Sequence, residues 1–149
     1  MVYTKEHRPT DIDMVGPITP RDERVLAEAG FAREGRYWTY DWSDTEGFMV
    51  EVPGSALWEG ETAVEINVGG HPLGVVSLED LVLDRLTQAT DGTQVTWDDA
   101  LSLSVATWDR VDWDKVRSRC MSKRSEDLGL QDLLEVLDNV LAAVGVTGA

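Results

Sequence analysis

Two short runs constrain this chain more than any other part of it: Thr10-Asp11-Ile12-Asp13-Met14-Val15 and Phe48-Met49-Val50-Glu51-Val52. Each sets carboxylates inside an apolar, strand-like stretch. Side chains alternate across a strand, so Asp11 and Asp13 emerge on one face, with Cα atoms about 6.5–7 Å apart. Glu51 lies amid apolar residues on a second strand that can sit beside the first. Three carboxylates drawn together repel one another. At an effective dielectric of about 20, a pair ~5 Å apart costs roughly 3 kcal/mol. A divalent cation removes that cost, so the pattern points to a metal-dependent phosphoryl site with Asp11, Asp13 and Glu51 as ligands. Plainer readings stand beside this one. Asp11 and Asp13 can cap the turn that follows their strand, and Glu51 can be an edge-strand charge with Val50 and Val52 turned to the core.

The rest of the chain sorts by periodicity. Gly16-Pro17 breaks the first strand, near 11–15. Thr19, with Pro20 after it and Asp22 three residues on, caps a helix carrying Val25, Leu26 and Ala29, and Gly30 ends it. Residues 36–42 alternate as a strand, with Tyr37, Thr39 and Asp41 on one face and Trp38, Tyr40 and Trp42 on the other. Residues 43–47 turn the chain into 48–52, making an antiparallel hairpin. A second hairpin is expected from 63–68 and 72–76 around Gly69-Gly70. From Ser77 the period becomes helical. Ser77, Thr96 and Asp112 read as caps, and Leu130, Leu133, Leu134, Leu137, Val140, Leu141 and Val144 form the stripe of a last helix that Gly145 ends. The expected class is α+β: a mixed sheet in residues 1–76 followed by an all-helical half, 77–149.

Composition bounds the function. The chain has 149 residues, 42% of them apolar, enough to bury a core. No apolar run approaches the 18 or so residues of a membrane span, and the polar start does not read as a secretory signal, so a cytoplasmic protein is expected. There are 28 acids against 13 bases, a net charge of −15, and only Lys5, Lys115 and Lys123 among the lysines. Such a surface repels nucleic-acid backbones. Acid-rich, lysine-poor surfaces also suit a halophilic, salt-filled cytoplasm, although a mesophilic acidic protein has the same composition. The lone Cys120 forms no internal disulfide, and His7 and His71 lack metal-ligand spacing. Six tryptophans, at 38, 42, 58, 97, 108 and 113, read first as core anchors and second as a partner surface.

The ordered set of pieces resembles the nucleotidyltransferase-fold superfamily, and within it small prokaryotic nucleotidyltransferase-like proteins related to toxin–antitoxin and abortive-infection members. Thr10-Asp11-Ile12-Asp13 is similar to their metal-binding strand. Ala29-Gly30-Phe31 and Gly35-Arg36-Tyr37-Trp38 resemble the following helix end and strand, and Val50-Glu51-Val52-Pro53-Gly54-Ser55 the third-acid strand. Ser77-Leu78-Glu79-Asp80-Leu81-Val82 through Arg85-Leu86 resembles the helix that opens their C-terminal half, with Asp98-Asp99-Ala100 and Val111-Asp112-Trp113 in later helices. The likeness runs from about Thr10 to Leu137.

The resemblance implies transfer of a nucleotide from a nucleoside triphosphate. Asp11 and Asp13 would hold Mg2+ (or Mn2+). Glu51 would help hold a second ion or act as base, and Arg85 would contact phosphate. Arg85 can equally pair with Asp84, Asp80 or another helix acid. One departure matters. Active members carry a Gly-Ser pair on a helix upstream of the paired acids, where backbone N–H groups cradle the triphosphate. Here ten residues precede Asp11 and none is glycine, while Gly54-Ser55 lies on the wrong side. The expectation is therefore a degenerate member, a shortened gene product or one completed by another subunit (a protein partner or a second copy), weakly active or inactive alone. The alternative is a non-catalytic, antitoxin-like or regulatory protein-binding module.

Overall fold

In a computed structural model, the protein is described over residues 11–40, 48–57, 60–124 and 131–147. The chain is α+β and forms two compact units that divide after Gly60. The first holds β1 (Asp11–Val15), α1 (Pro20–Glu28), β2 (Ala32–Glu34), β3 (Tyr37–Tyr40) and β4 (Phe48–Gly54). The second holds β5 (Ala63–Val68), β6 (His71–Val76), α2 (Leu78–Ala89), α3 (Gln94–Thr107), α4 (Trp113–Arg124) and α5 (Gln131–Thr147).

The first unit is a four-stranded mixed sheet in the order β1-β4-β3-β2. The expected pairing of β3 with β4 is present, with Tyr37 opposite Glu51 and Trp38 opposite Val50. β1 lies parallel to β4, with Ile12 opposite Val50 and Asp13 opposite Glu51. Ile12, Val50 and Trp38 therefore share the apolar face. Val50 and Trp38 are each 5% exposed. The expected cap of α1 is a full capping box. The Thr19 hydroxyl accepts from the Asp22 amide, and the Asp22 carboxylate accepts from the Thr19 amide. The helix ends in a Schellman turn, where Gly30 N–H donates to Ala27 O and Phe31 N–H to Leu26 O. Gly30 has φ of +94°, and a Cβ there would lie 2.9 Å from the Tyr40 ring. Glycine is thus required for conformation and for space.

β2 is not foreshadowed by periodicity. Its three residues, Ala32-Arg33-Glu34, carry no apolar alternation, and they pair because the Gly35-Arg36 turn folds them onto β3. The strand expected over 36–42 is observed as Tyr37–Tyr40. Its continuation and the 43–47 turn lie outside the described residues, as do Trp42, Trp58, His7 and Leu130.

The second unit joins the β5–β6 hairpin to four helices. Leu78, Val82, Leu83 and Leu86 of α2 pack with Leu103 of α3, Val116 and Cys120 of α4, and Leu133, Leu137, Val140 and Val144 of α5. Each fully buried leucine or valine contributes about 1.5–3 kcal/mol by leaving water. Asp112 caps α4 as expected, its carboxylate accepting from the Lys115 amide. The cap of α3 is Thr93, not Thr96. Asp91 accepts hydrogen bonds from the Thr93 amide and the Thr96 hydroxyl, which leaves Thr93 to receive the Thr96 amide. Gly145 does not stop α5, which runs to Thr147.

One buried carboxylate ties hairpin to helices. Asp80, 1% exposed, stands three residues into α2 from its cap Ser77. Its Oδ2 accepts from the Ser77 hydroxyl at 2.6 Å, the Thr62 amide at 2.8 Å and the Thr62 hydroxyl at 3.0 Å. Its Oδ1 has no hydrogen bond of regular geometry among the described residues and is matched by the charge of Arg119 on α4. Ser77 N–H also donates to Thr62 O. No described helix is long and apolar enough to cross a membrane.

Candidate functional site

The acidic residues lie on the sheet face opposite the one built from Ile12, Val50 and Trp38. Alternation puts Asp11 and Asp13 on the same side of β1. The parallel register then sets Glu51 beside Asp13, and the antiparallel register sets Tyr37 beside Glu51. One rung of the sheet thus reads Asp13, Glu51, Tyr37. Asp11 stands one rung away, opposite Met49. Every residue of β1 is exposed, and β1 is an edge strand.

Glu51 is the most enclosed of the three acids, with its side chain 17% exposed. It already has a cationic partner. Arg36 Nε lies 2.8 Å from Glu51 Oε1. The same guanidinium donates from Nη2 to the Tyr37 hydroxyl at 2.9 Å, and its carbon sits 5.1 Å from the centre of the Tyr37 ring. The hydrogen bond to Tyr37, and secondarily the Glu51 charge, raises the Arg36 pKa still further above its ordinary value. Arg36 can do this because it occupies the two-residue turn before β3, level with the register pair Tyr37–Glu51. Sequence reading assigned it no role. The signal was present in principle, since the residue preceding Tyr37 must flank whatever Tyr37 faces. Using that signal requires the β3–β4 register, which the hairpin pattern alone leaves open.

Among the described residues, Asp11 and Asp13 have no ion-pair partner, and no three His, Cys, Asp or Glu side chains gather as a set that could hold a metal. As arranged, the trio does not fit a three-carboxylate metal centre, because Glu51 is turned to Arg36. Val50 is buried and Val52 half-buried, but β4 lies between β1 and β3, so Glu51 is not the edge-strand charge of the plainer reading.

Arg85 belongs to the other unit. On α2 it donates to the Gln88 side chain at 2.9 Å, and Gln88 donates in turn to Asp84 at 2.8 Å. That is a local relay along the helix surface. Cys120 is buried in the helical core, and His71 is exposed at the tip of the β5–β6 hairpin. Beside α1, Met14, Val15, Pro17, Val25, Leu26 and Val52 line an open apolar cavity of about 350 Å³.

Compared with known proteins, the chain matches no family model, and neither the curated proteins nor the solved structures provide a match.

Proposed function

We propose that the chain is a nucleotidyltransferase-like protein whose acidic sheet face derives from a metal site, and that it transfers nucleotides weakly or not at all by itself. The observation that carries this reading is the register of β1 on β4. It sets Asp13 directly beside Glu51, with Asp11 two residues along on the same face.

Low activity is favoured by the bond between Glu51 and Arg36. A second reading, a non-catalytic regulatory or antitoxin-like module that binds a protein partner, draws on the same bond. It draws as well on the half-exposed apolar residues Val105 and Trp108, at 47% and 42%.

Calorimetric titration with ATP and Mn2+, on the wild type and on Asp13→Ala, separates the two. Tight binding that is lost in the variant would establish a working nucleotide site and exclude the non-catalytic module. Identical flat traces would exclude the transferase.

A further inference from the structure

Asp91-Gly92 is the one Asp-Gly step in the sequence, and the sequence has no Asn-Gly. Such a step is chemically labile, because glycine has no Cβ to crowd its nitrogen. That nitrogen can attack the carboxyl carbon of the aspartate side chain. A C–N bond forms, a carboxyl C–O bond breaks, and the amide proton leaves with the hydroxyl as water. Water then opens the cyclic imide at either carbonyl. Opening at the main-chain carbonyl leaves isoaspartate, with the backbone rerouted through Cβ and the mass unchanged. The reaction needs a carboxyl free to swing over the next nitrogen, and a nitrogen free to receive it. Asp91 and Gly92 are both exposed, so burial does not protect them.

The fold engages both reactants instead. Asp91 Oδ1 accepts from the Thr93 amide at 2.8 Å and from the Thr96 hydroxyl at 2.7 Å. The same two bonds, the Thr96 hydroxyl first, hold the Asp91 carboxyl below its ordinary pKa, which keeps it ionised with no hydroxyl to lose. Gly92 N–H donates to Ala89 O at 3.2 Å. Ala89 ends α2 and is 4% exposed, so that acceptor is anchored in the helical core.

We propose that Asp91-Gly92 is a guarded isomerisation site: the bonds from Thr93 and Thr96 hold the carboxylate, the bond to Ala89 holds the glycine nitrogen, and isoaspartate forms only when the α2–α3 turn opens. Rerouting the backbone there carries the carboxylate away from Thr93 and Thr96. The start of α3, which brings Ala100 and Leu103 to the core, then loses the contacts that fix it. A chain modified while unfolded cannot rebuild that turn when it refolds.

The test is prolonged incubation of the full chain, folded in buffer and unfolded in guanidinium chloride. Isoaspartate at position 91 is then read in proteolytic peptides by electron-transfer fragmentation, which tells the two linkages apart. The folded wild type accumulates it at least about tenfold more slowly than the unfolded chain, since reaction waits on local opening. Thr96→Val removes the hydroxyl donor and speeds the folded reaction about tenfold, the effect on opening of losing one hydrogen bond to a charged group. In guanidinium chloride the variant and the wild type react alike. Circular dichroism confirms that the variant folds, and the wild-type comparison decides by itself if it does not. Equal rates in the folded and unfolded wild type would overturn the guard. No isoaspartate in the unfolded chain would overturn the site. A folded Thr96→Val reacting at the wild-type rate would overturn the role given to the carboxylate contacts.

Discussion

Removing the Arg119 guanidinium strands a carboxylate that is 1% exposed and whose other oxygen is already filled by Ser77 and Thr62. Arg119→Met is expected to cost about 3–5 kcal/mol, the usual penalty for leaving a buried charge without its partner, read from urea melts followed by helical circular dichroism. Two exposed carboxylates respond to acid in a fixed direction. The Thr19 hydroxyl, and then the Thr19 amide, hold Asp22 below its ordinary 3.8, and bonds from the Thr96 hydroxyl and the Thr93 amide do the same for Asp91. A folded pKa below the unfolded one means the stabilisation is complete above about the unfolded value and is lost as pH falls through the folded value. The Thr19 and Thr93 amide resonances should therefore titrate with midpoints under 3.8. A midpoint at or above that value would show that the bonds do not form. The shared face of Asp11, Asp13 and Glu51 was legible in the sequence, because a period of two leaves few alternatives once two strands lie side by side. Arg36 was not legible, because its contact depends on the register of β3 against β4, which the hairpin pattern alone leaves open.

All five described helices were expected, whereas the strand β2 was not, for a physical reason. Leu133, Leu137, Val140 and Val144 recur at helical spacing and all reach the core, so the pattern and the burial carry the same information. Leu137→Ala should cost about 2–5 kcal/mol in the same urea assay, since the residue is 0% exposed. Gly145 misled because glycine inside a helix costs only about 1 kcal/mol, and Val144 beside it is held by the core. The α3 cap misled because two threonines three apart both suit the role, and Asp91 decides between them. In the sheet unit the decisive glycine is Gly30. Gly30→Ala meets a positive φ and the Tyr40 ring together, so a loss of about 1 kcal/mol or more is expected, seen as a lowered midpoint for the near-ultraviolet signal.

The two units differ in how much they bury. Among the described residues, the sheet unit encloses Trp38 and Val50, whereas the helical unit encloses a continuous cluster drawn from all four helices. Amide exchange should accordingly release β1 and β4 well before α2 and α5, and equal protection would contradict this account. The charge of −15 acts on the whole chain. If the acidity is an adaptation to concentrated salt, the melting temperature rises steadily from dilute to molar KCl. An unchanged value would mark an acidic protein of ordinary surroundings. Periodicity changes at residue 77, yet the chemistry of Asp80 reaches back to Thr62. A recombination crossover placed between those two positions would graft on a helical bundle stripped of the donors its central acid was shaped to receive. Chimeras joined ahead of Thr62 keep those donors, and a library of random crossovers should yield its soluble members from that side.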